Sequence, residues 1–76
     1  MRKHHARRRA VIAAIRAARL ERGMSQRALS EALGEHKNYM HEVEHGQHAV
    51  RTEEFIAIAE ALGVSPFDLL ARVVRP

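Results

Sequence analysis

At 76 residues the chain has room for one domain with a modest core, because a protein this small buries only about 60% of the surface its unfolded chain exposes. It has no cysteine, which excludes a disulfide framework and thiolate-held metals, and only three aromatic residues, Tyr39, Phe55 and Phe67. Abundant Ala, Leu, Ile, Val, Arg and Glu favour helices over sheet. The formal charge of +4 is unevenly placed: residues 1–10, MRKHHARRRA, hold the five bases Arg2, Lys3, Arg7, Arg8 and Arg9 and no acid, while the rest of the chain carries eight bases against nine acids. A basic arm on a near-neutral body (residues 11–76) points to a polyanion, nucleic acid ahead of an anionic membrane surface; the plainer reading is a solvated tail.

The arm and the VIAAI run after it do not make a secretory signal. Arg16 interrupts the apolar residues after five positions, short of the roughly 7–15 that an h-region needs. No stretch approaches the ~20 apolar residues of a membrane span, so a soluble, cytoplasmic chain is expected.

Val11 to Arg22 lacks Gly and Pro, and Ile12, Ile15 and Arg19 recur at helical spacing. This is a first helix, able to start earlier within the arm, with Gly23 as its C′ residue. Ser25 offers an N-cap oxygen to a second helix, Gln26 to Leu33, expected to turn Ala28, Leu29, Ala32 and Leu33 inward before Gly34 ends it. A third helix is expected over Lys37 to His45, where Met40 and Val43 make one narrow apolar stripe, Tyr39 flanks it and every other side chain is polar. Gly46 stops it.

Thr52 is the expected cap of a fourth helix, with Glu53 and Glu54 in its first turn, where the helix dipole favours acids, and Phe55, Ile56, Ile58, Ala59 and Leu62 as its apolar face. Then SPFD places Ser65 at an N-cap, Pro66 at N1 and Asp68 at N3 of a fifth helix that runs to about Val74 and is expected to bury Phe67, Leu70 and Val73. Five short helices and no strand make an all-α bundle. The second and third, joined by LGEH, have the outline of a helix-turn-helix.

One stretch of the third helix invites a different chemistry. HEVEH, His41 to His45, fits the zinc-protease pattern H-E-x-x-H, in which two histidines one turn apart hold the metal and the glutamate activates water. Val43, however, is needed in the core. Of the candidate third ligands, His48 is almost adjacent in sequence, and Glu60 and Asp68, on the fourth and fifth helices, have no evident reason to converge on an outward-facing stripe. No catalytic site, metal or cofactor is therefore expected, and the polar side of this helix reads as a recognition surface.

The run RGMSQRALSEALG, then VEHG, then FIAIAEALGVSPFDLL resembles the Cro/CI-type helix-turn-helix family, also called the XRE family, over roughly residues 12 to 72. The resemblance implies a lambda-repressor-like five-helix bundle acting as a sequence-specific regulator, a repressor in the first instance, that binds double-stranded DNA as a homodimer. It implies that Gln26 binds phosphate and braces the recognition helix. Lys37, Asn38, His41 and Glu42 fall where family members read bases or adjacent phosphates, and Gln47 and His48 match positions that touch the backbone; His45 lies on the same polar face of the helix. Arg19 and Glu44 match an ion pair tying the first helix to the third. Arg7, Arg8 and Arg9 of the arm would add phosphate contacts. Three positions depart from the pattern: Glu35 stands where an apolar residue is usual, and His36 where a small N-cap is common. Glu42 sets an acid toward a polyanion, where it can accept from a cytosine amine or discourage non-specific phosphate. Leu69, Val73 and Val74 serve either a dimer contact or extra core packing. From another class, an antitoxin-like module acting through protein contact stays open.

Overall fold

In the computed structural model, which describes residues 3–75, five helices follow in order: α1 Lys3–Glu21, α2 Gln26–Ala32, α3 Tyr39–Glu44, α4 Thr52–Ala61 and α5 Pro66–Val74. The described residues contain no strand. Arg2 of the basic arm lies outside them. Helix α1 begins at Lys3, so the described part of the arm is the first turns of a 19-residue helix. No helix among the described residues is long and apolar enough to cross a membrane.

α1 is the spine. Its Ala14, Ile15 and Ala18 meet Leu29 of α2, Met40 and Val43 of α3, Ile58, Ala59 and Leu62 of α4, and Leu69 and Val73 of α5 in one buried cluster. Serine caps fix where α2 and α5 begin. Ser25 Oγ accepts from the Ala28 amide at 3.0 Å, and Ser65 Oγ from Phe67 and Asp68, with Pro66 supplying the preset φ of a first helical residue. Gly34 stops α2 at φ +70°, a left-handed conformation that a Cβ disfavours. Its amide bonds Glu31 O and the next amide, of Glu35, bonds Ser30 O, both at 3.0 Å, which satisfies carbonyls the helix leaves open.

Several expectations fail in register. In α2, Ala28 and Ala32 are exposed; beside Leu29 the buried residue is Ser30. Its hydroxyl donates to Gln26 O at 2.9 Å and accepts from the Met40 amide at 3.0 Å, so it joins α2 to α3. Ser30→Ala would strand that buried amide, and the expected loss is roughly 1–3 kcal/mol of unfolding free energy in urea titration. α3 starts at Tyr39, not at Lys37. Neither His36 nor Asn38 gives a side-chain cap, and residues 37–38 form a turn closed by the Tyr39 amide on His36 O. Tyr39 itself is buried core. In α4, Thr52 is the first helical residue and Arg51 the N-cap position, whose amide donates to Glu54 Oε1 at 2.8 Å. Ile56 is 41% exposed. α5 turns its other stripe inward: Leu69 and Val73 are core, while Phe67 and Leu70 are 83% and 49% exposed.

Candidate nucleic-acid interface

The seam of Tyr39, Met40 and Val43 is buried where α3 packs on α2 and α1, which leaves the opposite side of α3 to solvent. Around that side an open polar groove is lined by Gln26 and Arg27 at the start of α2, Lys37 and Asn38 in the turn, His41 and Glu42 on α3, and Gln47 just beyond it. Thus six of the residues that the sequence singles out converge on one surface. Arg27 joins them, and the sequence signals it only by its place beside Gln26. His45, expected as the last residue of this helix, is its exposed C-cap just past Glu44. The groove has both donors and an acceptor, as base-edge recognition requires. Glu42 is engaged: His36 Nε2 lies 3.1 Å from its Oε1.

Beneath the groove a buried ion pair sets the orientation of α3. Arg19 Nε donates to Glu44 Oε2 at 2.6 Å and Nη2 to Oε1 at 2.9 Å, while Nη1 donates to Met24 O at 2.9 Å. Gln26 Nε2 adds a bond to Glu44 Oε1 at 3.0 Å, which ties the groove's first residue to the pair. Burial raises the Glu44 carboxyl, but the hydrogen bonds from Arg19 and Gln26 and the Arg19 charge outweigh it and hold the group below its ordinary value. The bond to Glu44 likewise holds Arg19 above its own.

A second polar node flanks the groove. Glu54 Oε2 accepts from Tyr39 Oη at 2.7 Å and lies 2.8 Å from His48 Nε2, whose ring meets that of Tyr39 edge to face. With the Arg51 amide on the other oxygen, one carboxylate joins the start of α3, the loop after it and the start of α4. Burial opposes ionisation of Glu54; the bonds from Arg51, Tyr39 and His48 overcome it and bring its pKa down to about 2. Burial, and then the same carboxylate, push the Tyr39 phenol upward. Nothing in the sequence joins Tyr39 to Glu54, since the two lie 15 positions apart and only the fold brings them together.

Because the folded pKa of Glu54 is below its value of 4.5 in an unfolded chain, its ionisation stabilises the fold above about pH 4.5, and that contribution fades as pH falls through 2. Glu54→Gln is expected to cost roughly 2–3 kcal/mol at pH 7, with the gap from wild type closing near pH 2. Urea titrations at the two pH values measure it; an equal gap at both would show that the charge is not what matters.

The histidines of HEVEH meet no third ligand among the described residues. Among the described residues no group of three or more His, Cys, Asp and Glu side chains is placed to hold a metal. The motif's glutamate, Glu42, faces His36, and Glu44 is committed to Arg19.

At the near end of α1, Arg8 Nη2 donates to Gly46 O at 2.7 Å. This bond sets the basic turns of α1 beside the loop that carries Gln47 and His48. Arg7 and Arg8 share that region with His4 and His48.

The chain is similar to the clp gene regulator ClgR from Corynebacterium glutamicum in two crystal structures, each with 34% identity and a TM-score of 0.81. Each similarity covers 90% of this chain, and 72% and 88% of the respective ClgR chains. No curated protein matches the sequence. A helix-turn-helix family model matches residues 15–69, from the middle of α1 into α5, and the chain therefore belongs to the XRE-type helix-turn-helix family of DNA-binding regulators.

Proposed function

We propose that the chain is a non-enzymatic, sequence-specific repressor that reads double-stranded DNA through the major groove as a homodimer in the cytoplasm. The observation that carries this reading is the convergence of Gln26, Lys37, Asn38, His41, Glu42 and Gln47 on one solvent-facing groove, backed by a buried seam that anchors α3 in the core. Lys37, Asn38, His41, Glu42 and His45 read base edges or adjacent phosphates. Gln26, Gln47 and His48 set the register on the backbone, and the Arg7, Arg8 and Arg9 turn of α1 adds salt-dependent affinity. In this scheme residues 1–10 are the arm and 11–76 the binding domain, although the helix runs through both.

One recognition helix reads one half-site; two related by a two-fold axis would sit about 34 Å apart on one face of the duplex. The surface offered for pairing is an apolar cleft between α4 and α5, with Ile56, Phe67 and Leu70 on it and Val11, Val50 and Phe55 in its floor. Leu69 and Val73, candidates for this role in the sequence, are core. Selection of bound sequences from random duplexes tests the whole reading. An enriched inverted repeat is the expected result; no enrichment over input overturns it. Phe67→Glu should yield monomers in sedimentation, and a partner-binding, antitoxin-like role would gain if wild type sedimented as a monomer and selected no duplex. Replacing Arg7 and Arg8 by glutamine should flatten the slope of log K against log salt by about 0.9 for each phosphate no longer neutralised, whereas an unchanged slope would take α1 off the DNA.

A further inference from the structure

Four histidines surround the proposed reading surface, and they fall into two kinds. His36 and His48 each set Nε2 against a carboxylate, Glu42 and Glu54 respectively. His41 and His45 have no carboxylate partner among the described residues and face each other instead, both exposed, His41 on α3 and His45 four residues on at its C-cap. Their ring centroids are 4.0 Å apart and the planes 28° from parallel. His45 Nδ1 lies 2.8 Å from His41 O. A carbonyl can only accept, so Nδ1 carries the proton, and in the neutral ring Nε2 keeps its lone pair. Metal-binding histidines show the same pattern, one nitrogen donating to a carbonyl and the other left to ligate.

We propose that His41 and His45 form an exchangeable two-nitrogen site for an imidazole-preferring divalent ion of the Zn²⁺, Cu²⁺ or Ni²⁺ class, and that the bound ion competes with DNA. Imidazole pairs suit these ions and not Mg²⁺ or Ca²⁺, which take oxygen donors. With no third protein ligand among the described residues, water completes the coordination and the ion stays labile. His41 lines the same groove as Lys37, Asn38 and Gln47, so a hydrated ion there fills the space a base edge would take. Competition is reciprocal: DNA lowers metal affinity by the factor by which metal lowers DNA affinity.

The metal half stands without DNA. Zn²⁺ titrated into the full chain, followed by the imidazole resonances in NMR, should shift His41 and His45 first. His41→Ala and His45→Ala should each weaken binding at least tenfold, while His4→Ala, in the edge-to-face His4–His5 pair of α1, should not. Equal Zn²⁺ affinity in wild type and His41→Ala would overturn the site. The competition rests on the DNA-binding reading above and is tested on the selected duplex. Zn²⁺ should weaken wild-type binding severalfold relative to chelator, and that ratio should fall to about one in His45→Ala whatever the variant's own affinity for the duplex. Zn²⁺ on the pair with unchanged or tighter duplex binding would overturn the competition. If no duplex is selected at all, the DNA reading fails while the Zn²⁺ titration still decides the site. Circular dichroism should match wild type for each variant, since both side chains are outside the core.

Discussion

Glu44→Ala should destabilise the fold by about 3–5 kcal/mol, a large share of the ~5–15 kcal/mol available to a small domain. The reason lies in what would be left behind. Arg19 is only 7% exposed, and its guanidinium would keep one partner, Met24 O, for a charge that water cannot reach. Gln26 would lose its bond as well. The loss measures an orphaned charge, not the strength of the pair, and a double variant shows this. Arg19→Met with Glu44→Leu removes both charges and fills the space, so it should recover most of the stability. Urea midpoints of the three proteins make the comparison. If Glu44→Ala falls within about 1 kcal/mol of wild type, the pair is solvated in solution.

Lys37→Ala with Asn38→Ala should remove specific DNA binding and leave the fold alone. Both side chains are exposed in the turn before α3, and Asn38 makes no capping bond, so neither substitution reaches the core. Each base contact is worth about 1–3 kcal/mol of discrimination, so the pair should lose roughly 2–6 kcal/mol on the selected duplex and much less on a random one. Filter binding to both duplexes, with circular dichroism as the control for folding, reads the effect. Undiminished preference for the selected duplex would move recognition elsewhere on the surface.

The order of helices is legible in the sequence because its punctuation is local. Ser25 and Ser65 mark starts, and Gly23, Gly34, Gly46 and Gly63 mark stops, each at positive φ. The groove is largely legible too, since a helix with Met40 and Val43 as its apolar stripe must show its polar residues to solvent. Facing is harder wherever apolar residues crowd. α5 carries Phe67, Leu69, Leu70, Val73 and Val74, enough for two stripes, and the choice between them is made by α1 and α4. Ser30 and Tyr39 are hidden for another reason. Their polar atoms are satisfied by Met40 and Glu54, partners far along the chain that only the fold supplies.

Because α1 is already wound at Lys3, residues 3–10 rise only about 12 Å, whereas the same eight residues drawn out would span about 26–29 Å. A wound arm is stiff and cannot wrap around a duplex. Its order is established when the chain folds, so in the proposed DNA complex docking on a phosphate strand would cost little further freedom, and its reach would stay short.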